Sequence, residues 1–245
     1  MLPKIVGTID RRILLNFRAP LEVVSGLLPE PFRVRSVNGF ALIGVCLIRF
    51  RSLRPARLPA MIGLRSENAA HRISIEWDDG QGTQTGVYVT RRDTDSAFVK
   101  LTGGRVFPGV HSRVAFEVDE SPDQVAISIR DSQGMLVNLS GRISDEFSSQ
   151  VFSTHDEASC YFQEDHIGYS PARREGELEG LRLNCHRWQT SSLAIDECWV
   201  REFAALSPQI EFDHALIMHG ISHDWAEVPR LCCASRTAAN APDAH

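Results

Sequence analysis

Lysine is almost missing from this chain: Lys4 and Lys100 stand alone among 26 basic residues, and arginine supplies the rest. Schiff-base chemistry therefore has two amines to draw on, whereas fixed bidentate anion contacts have many guanidinium groups. Cysteine is sparse too. Cys46, Cys160, Cys185, Cys198, Cys232 and Cys233 include no CxxC pair, which argues against a disulfide framework and for reduced, mostly buried thiols. No apolar run approaches membrane-spanning length, since the stretch around Ala41–Ile48 ends at Arg49. The start, Met1–Gly7, lacks the long apolar segment of a signal peptide, so a cytoplasmic protein with no membrane partner is expected. A GxGxxG fingerprint after a strand, a Walker A sequence and HExxH are all absent, so no cofactor is expected and a metal has no strong motif. Basic charge is not in excess either: 26 basic residues against 31 acidic ones exclude a broad nucleic-acid surface while allowing a local basic pocket.

What is present is a chain of 245 residues, 43% apolar, long enough to bury a substantial core in one domain over 1–234, with a flexible tail at 235–245. Strand signals dominate. Residues 8–18 read as an early strand, and Pro20–Pro29 as a short helix bounded by prolines. Phe32–Val37 and Phe40–Phe50 read as a hairpin through Asn38-Gly39. Residues 51–68 read as an Arg/Pro-containing loop. Strands are expected at His71–Trp77, Thr85–Thr90, Ala97–Leu101 and Arg113–Val118, then in a hairpin of Gln124–Arg130 with Leu136–Arg142. Thr154 and Glu157 form a capping box that starts a helix through about Gln163. Further strands are expected at Glu177–Trp188, Leu193–Trp199 and Gln209–His219. The order favours an antiparallel sheet or partly closed β-barrel with short helices over a βαβ dinucleotide domain.

The richest segment for chemistry is Gly103-Gly104-Arg105-Val106-Phe107-Pro108-Gly109-Val110-His111. Gly and Pro shape a bend, Arg105 is suited to a carboxylate, and His111 to an acid, base or hydrogen-bond role near neutral pH. Arg91-Arg92-Asp93 offers a second anion-binding edge. Adjacent strand side chains face opposite ways, so one arginine at most enters a pocket. Glu76, in an alternating strand, is a candidate general base against the plainer role of a solvent-facing carboxylate, and Tyr169 in Gly168-Tyr169-Ser170-Pro171 a candidate hydrogen-bonding partner for a ligand.

His214, His219 and His223 form a competing constellation. The last two have HxxxH spacing, but the segment begins like a strand and Gly220 follows His219, so a metal edge is weakly supported. Cys185-His186 is adjacent in sequence, which on a strand puts the two side chains on opposite faces.

Taken together, Asn38-Gly39 before an apolar strand, Arg91-Arg92-Asp93-Thr94, the Gly103–His111 segment, Gly168–Pro171, Glu179-Gly180-Leu181 and Ile210–His214 resemble the bacterial DUF2071 family, also grouped as YqjF-like. That family sits within the acetoacetate-decarboxylase-like superfamily, and the similarity covers roughly residues 8–230. The resemblance implies a cone-shaped or partly closed antiparallel β-barrel with an internal pocket for a small organic acid or carbonyl compound. Acetoacetate decarboxylases form a Schiff base through a lysine whose amine is kept neutral by a neighbouring positive charge. The matching positions here are Val110 and His111, and neither can form that iminium.

Three readings follow. The first is a small-molecule-binding domain in which Arg105 with Arg91 or Arg92 neutralises an acid and His111 positions a carbonyl. The second is a lyase or isomerase without a Schiff base, using His111 and a carboxylate such as Glu76. The third is a structural or protein-interaction domain. Self-association is left open.

Overall fold

Alternating branched apolar residues carry the chain into β1 (Ile5–Ala19), longer than its expected span. After the short helix α1 (Leu21–Ser25) come β2 (Arg33–Val34), β3 (Ser36–Val37) and β4 (Phe40–Pro55). Asn38 and Gly39 turn the β3–β4 hairpin with φ of 48° and 84°, the left-handed pair that a two-residue turn needs. Next are β5 (Leu64–Asp78), β6 (Thr83–Thr94), the helix α2 (Ala97–Thr102) and the short β7 (His111–Arg113). β8 (Ala115–Glu120), β9 (Gln124–Asp131) and β10 (Gly134–Ser144) form a meander, followed by helix α3 (His155–Glu164). β11 (Ile167–Pro171), β12 (Glu177–Cys185), β13 (Ser191–Val200), the helical turn α4 (Arg201–Ala204) and the 22-residue β14 (Glu211–Cys232) complete the chain. This computed structural model describes residues 4–102, 110–206 and 208–232. Arg105 and the expected tail at 235–245 lie outside the described residues.

Two local readings are corrected. Ala97–Leu101 is helix, not strand, because Ser96 caps it: the Ser96 hydroxyl accepts from Val99 N at 3.3 Å and its carbonyl from Lys100 N. The loop expected over 51–68 shrinks to 56–63, since β4 and β5 continue their ladder past a register shift to the pair Leu53 and Leu64. Thr154 caps α3 as expected, its hydroxyl accepting from Glu157 N at 3.2 Å, while the Glu157 carboxylate takes Ser153 N.

Seven strands close on themselves in the order β1-β4-β5-β6-β11-β12-β14 and back to β1. Every pairing in this barrel is antiparallel except β6 with β11. The long β14 leaves the ring at one end to pair with β13, starting a second sheet, β13-β10-β9-β8, that packs on the outside of the barrel. Because side chains alternate across each strand, two cores result. Outside the barrel wall, Ile13, Leu15, Val45 and Ile73 meet Ile127, Leu139 and Leu193 of the second sheet. Inside it, Leu14, Leu42, Cys46, Phe50, Leu216 and Met218 pack with Ala158, Tyr161 and Phe162 of α3. Among the described residues, no helix is long and apolar enough to cross a membrane.

Candidate functional site

The inner face of the barrel does not stay apolar. Arg12 on β1, Arg72 on β5 and Arg92 on β6 all line one internal cavity of about 120 Å³. Apolar walls come from Ile48, Phe50, Val87, Val89, Leu183 and Trp225. A cavity of ~150 Å³ accommodates a benzene ring, so a ligand of a few heavy atoms fits this one.

Each arginine is anchored to a side chain of the barrel wall. Arg12 Nε donates to Cys46 Sγ at 3.2 Å, and its guanidinium lies 5.6 Å from the Trp188 ring centre. Arg72 donates to Asn16 Oδ1 and stacks over Phe162, while its Nε and Nη1 are buried without a hydrogen-bond partner. Arg92 Nε makes a long 3.4 Å contact to Ser170 Oγ. Among the described residues, none of the three forms an ion pair within 4 Å, in contrast to Arg11, Arg35, Arg49 and Arg91. Burial lowers the pKa of Arg72, and it lowers that of Arg92 to about 10. Both remain cations at neutral pH, so positive charge is concentrated along this wall, with Asp165 as the nearby carboxyl group that acts on Arg72.

Two buried carboxyl groups, Asp93 and Asp165, also line the cavity. Asp165, at the C-terminal end of α3, accepts from Arg35 Nη1 and from Ser74 Oγ, each at 2.9 Å. Burial pushes its pKa up to about 6, against the opposing pull of Arg35, Arg72 and the Ser74 hydroxyl.

The residues singled out from sequence fall into two groups. Arg92 and His111 line the cavity, brought side by side because β6 and β7 run parallel with these two in register. Arg91, Glu76 and Tyr169 are not among its lining residues. Arg91 points to the outer face, where Nε bonds both Asp93 oxygens and Nη2 reaches Asp131 at 3.3 Å. Glu76 stands at the rim, 34% exposed and facing Arg33. Tyr169 packs against Phe32 and Trp77, and its hydroxyl donates to the Pro229 carbonyl. Neither lysine lines the cavity: Lys4 is exposed beside Asp224, and Lys100 is exposed on α2.

The histidine constellation is dispersed along β14. His214 is buried between Asp213 and Asn16, His219 faces Glu120 at 3.7 Å, and His223 is wedged against Phe50 and Trp225. Among the described residues, no group of His, Cys, Asp and Glu is placed to hold a metal ion.

Arg12, Arg72 and Asp165 are the site residues that sequence reading passed over. Arg72, Ser74 and Glu76 alternate with Ile73, Ile75 and Trp77, a pattern normally read as wet face against dry face. In a closed barrel with a second sheet outside, the polar row turns inward instead.

Solved structures share this architecture. An acetoacetate decarboxylase from Legionella pneumophila subsp. pneumophila str. Philadelphia 1 superposes with a TM-score of 0.62 at 7% identity, over 94% of this chain and 88% of that one. An acetoacetate decarboxylase-like enzyme from Sphingomonas wittichii RW1 gives 0.62 at 12% identity, over 95% and 94%. The enduracididine biosynthesis enzyme MppR complexed with pyruvate gives 0.58 at 10% identity, over 96% and 91%. At such identities the likeness is one of fold. No curated protein sequence matches the chain. The model of the DUF2071 family, described as an uncharacterized conserved protein, matches residues 8–220, from within β1 to within β14, and the chain belongs to that family.

Proposed function

We propose that this protein binds a small carboxylate, of the size of a short keto acid, inside its barrel and without a Schiff base. The observation that carries the reading is the convergence of Arg12, Arg72 and Arg92 on one cavity, none of the three in a salt bridge to a carboxylate of the described residues, with two Arg72 nitrogens left without a partner. A buried cation without a counter-ion is costly, and an anionic ligand removes that cost while completing the hydrogen bonds of a guanidinium fork. Arg92 and Arg72 take the carboxylate in this reading. His111 positions an adjacent carbonyl oxygen, and the apolar walls hold the remaining carbons. A protein of the same fold is described in complex with pyruvate, which is consistent with a ligand of this class.

The test is calorimetric titration with pyruvate and acetoacetate alongside pyruvamide and acetone, their uncharged counterparts. The acids are expected to bind with 1:1 stoichiometry and the neutral compounds not to. Equal binding of pyruvate and pyruvamide would remove the arginines from the explanation. Borohydride added with pyruvate is expected to leave the protein mass unchanged, because both lysines lie away from the cavity. A reduced adduct on Lys4 or Lys100 would reinstate Schiff-base chemistry.

A further inference from the structure

Resting on the carboxylate-binding reading, we propose that Asp165 is a catalytic base that removes a proton from the carbon next to the ligand's carbonyl, making the cavity an enolisation site. The geometry is specific. Two carboxyl groups line the cavity among the described residues: Asp93 is bound at both oxygens by Arg91, whereas Asp165 meets an arginine at one oxygen only. Ser74 and Arg35 each hold one Asp165 oxygen, fixing the carboxyl plane and leaving each oxygen a further lone pair. Arg72, two residues before Ser74 on the same face of β5, and Arg12 provide positive charge beside it.

The step balances without any added reagent. The Asp165 carboxylate forms a bond to the proton on C3 of a 2-keto acid, and the C3–H electron pair becomes the C2–C3 double bond. The carbonyl π pair moves onto oxygen, where the arginines stabilise the enolate. Return of the proton from Asp165 regenerates the keto acid. In deuterated water the acid proton exchanges first, so the net result is replacement of C–H by C–D. Oxidation state does not change. A carboxylate held in a dry site is a stronger base than one in water, which suits this task at neutral pH.

The test uses the full chain with pyruvate in deuterated buffer, following loss of the methyl proton signal by NMR. Binding is measured in the same samples from ligand line broadening. Wild type is expected to exchange the methyl protons at least tenfold faster than buffer. Asp165→Asn is expected to fall to the buffer rate while still broadening the ligand lines. Ser74→Ala, which removes a hydrogen bond to the carboxylate without touching the arginines, is expected to retain exchange with its pH midpoint moved upward. The charged and titratable groups around Asp165 are Arg35, Arg72, Arg12, Tyr161 and Glu164, with His166 next in the chain. His166 also lines the cavity, so His166→Gln is included and is expected to leave the midpoint in place. Binding without exchange in wild type, or equal exchange in wild type and Asp165→Asn, overturns the enolisation proposal and leaves the binding reading standing. No binding by wild type overturns both. If Asp165→Asn does not fold, an unmoved midpoint in Ser74→Ala overturns the role of Asp165.

Discussion

Arg72 on β5 hydrogen-bonds Asn16 on β1 across the intervening strand β4, at the level of Gly44. Asn16, Gly44 and Arg72 are register partners in three successive strands. A Cβ on Gly44 would overlap the Leu15 carbonyl oxygen, a backbone atom that cannot rotate away. Gly44→Ala is therefore expected to cost about 2–3 kcal/mol, seen as a Tm lower by ~5–10 °C. Gly26→Ala, where nothing lies within 4 Å and φ is −68°, is the control and is expected to leave Tm within about 1 °C. Equal losses at both positions would contradict the packing argument.

The same arginine exposes a conflict between stability and binding. With two nitrogens buried and unpartnered, Arg72 is a liability to the empty protein. Arg72→Met keeps the stem's volume over Phe162 and removes the charge, at the expense of the donor to Asn16. The net effect expected is a gain of roughly 1–2 kcal/mol, a Tm higher by ~2–6 °C. Pyruvate and acetoacetate should then no longer raise Tm. A destabilised Arg72→Met would mean that the arginine is a structural element of the barrel and that its open nitrogens matter little.

Most of the architecture was legible because β-branched alternation and turn residues are local signals: the Asn38-Gly39 hairpin and the Thr154 cap stand where the residues indicate. The helix at Ala97–Thr102 was not, because one capping serine outweighed a short apolar pattern. The site was legible only in part. The rule that neighbours on a strand face opposite ways separated Arg91 from Arg92 without saying which enters the cavity. Arg12, Arg72 and Asp165 were hidden for a topological reason. Polar alternation marks the face opposite a core, and in a barrel wrapped by a second sheet that face is the lumen. Glu76 belongs to the same polar row but lies at the rim, where Arg33 faces it.

Arg91 and Arg92 give the sharpest comparison, being adjacent in sequence and opposite in surroundings. Arg92→Ala removes a charge-assisted contact to the ligand, worth ~1.5–3 kcal/mol, so affinity for pyruvate should fall roughly 10- to 100-fold with little change in Tm. Arg91→Ala strips the partner from Asp93, which is fully buried, and is expected to cost roughly 3 kcal/mol and lower Tm by ~6–10 °C. Its affinity for pyruvate should match wild type at temperatures where it is folded. The reverse pattern, measured by calorimetry and thermal melts, would place the ligand on the outer face of β6.

Asp165 and His223 should pull stability in opposite directions over nearly the same pH range. Burial raises Asp165 to about 6, so between about 4 and 6 the folded protein holds a proton that the unfolded chain, titrating near ~3.9, has released. Stability from this group falls as pH rises through that interval. Burial against Phe50 and Trp225 lowers His223 to about 4, whereas an unfolded histidine titrates near ~6.5. Here the unfolded chain holds the extra proton, and stability rises with pH. Each effect amounts to roughly 3 kcal/mol, so the two largely cancel and the wild-type contribution of this pair is nearly flat from pH 4 to 6.5. Single substitutions uncover the parts. In Asp165→Asn, stability should climb with pH across the interval, and in His223→Leu it should decline. Thermal melts at half-unit steps from pH 4 to 7.5 measure both, with the double variant expected to restore the wild-type slope. If Asp165→Asn leaves the slope unchanged, Asp165 is ionised as readily in the barrel as in water. It would then lack the basicity that enolisation asks of it.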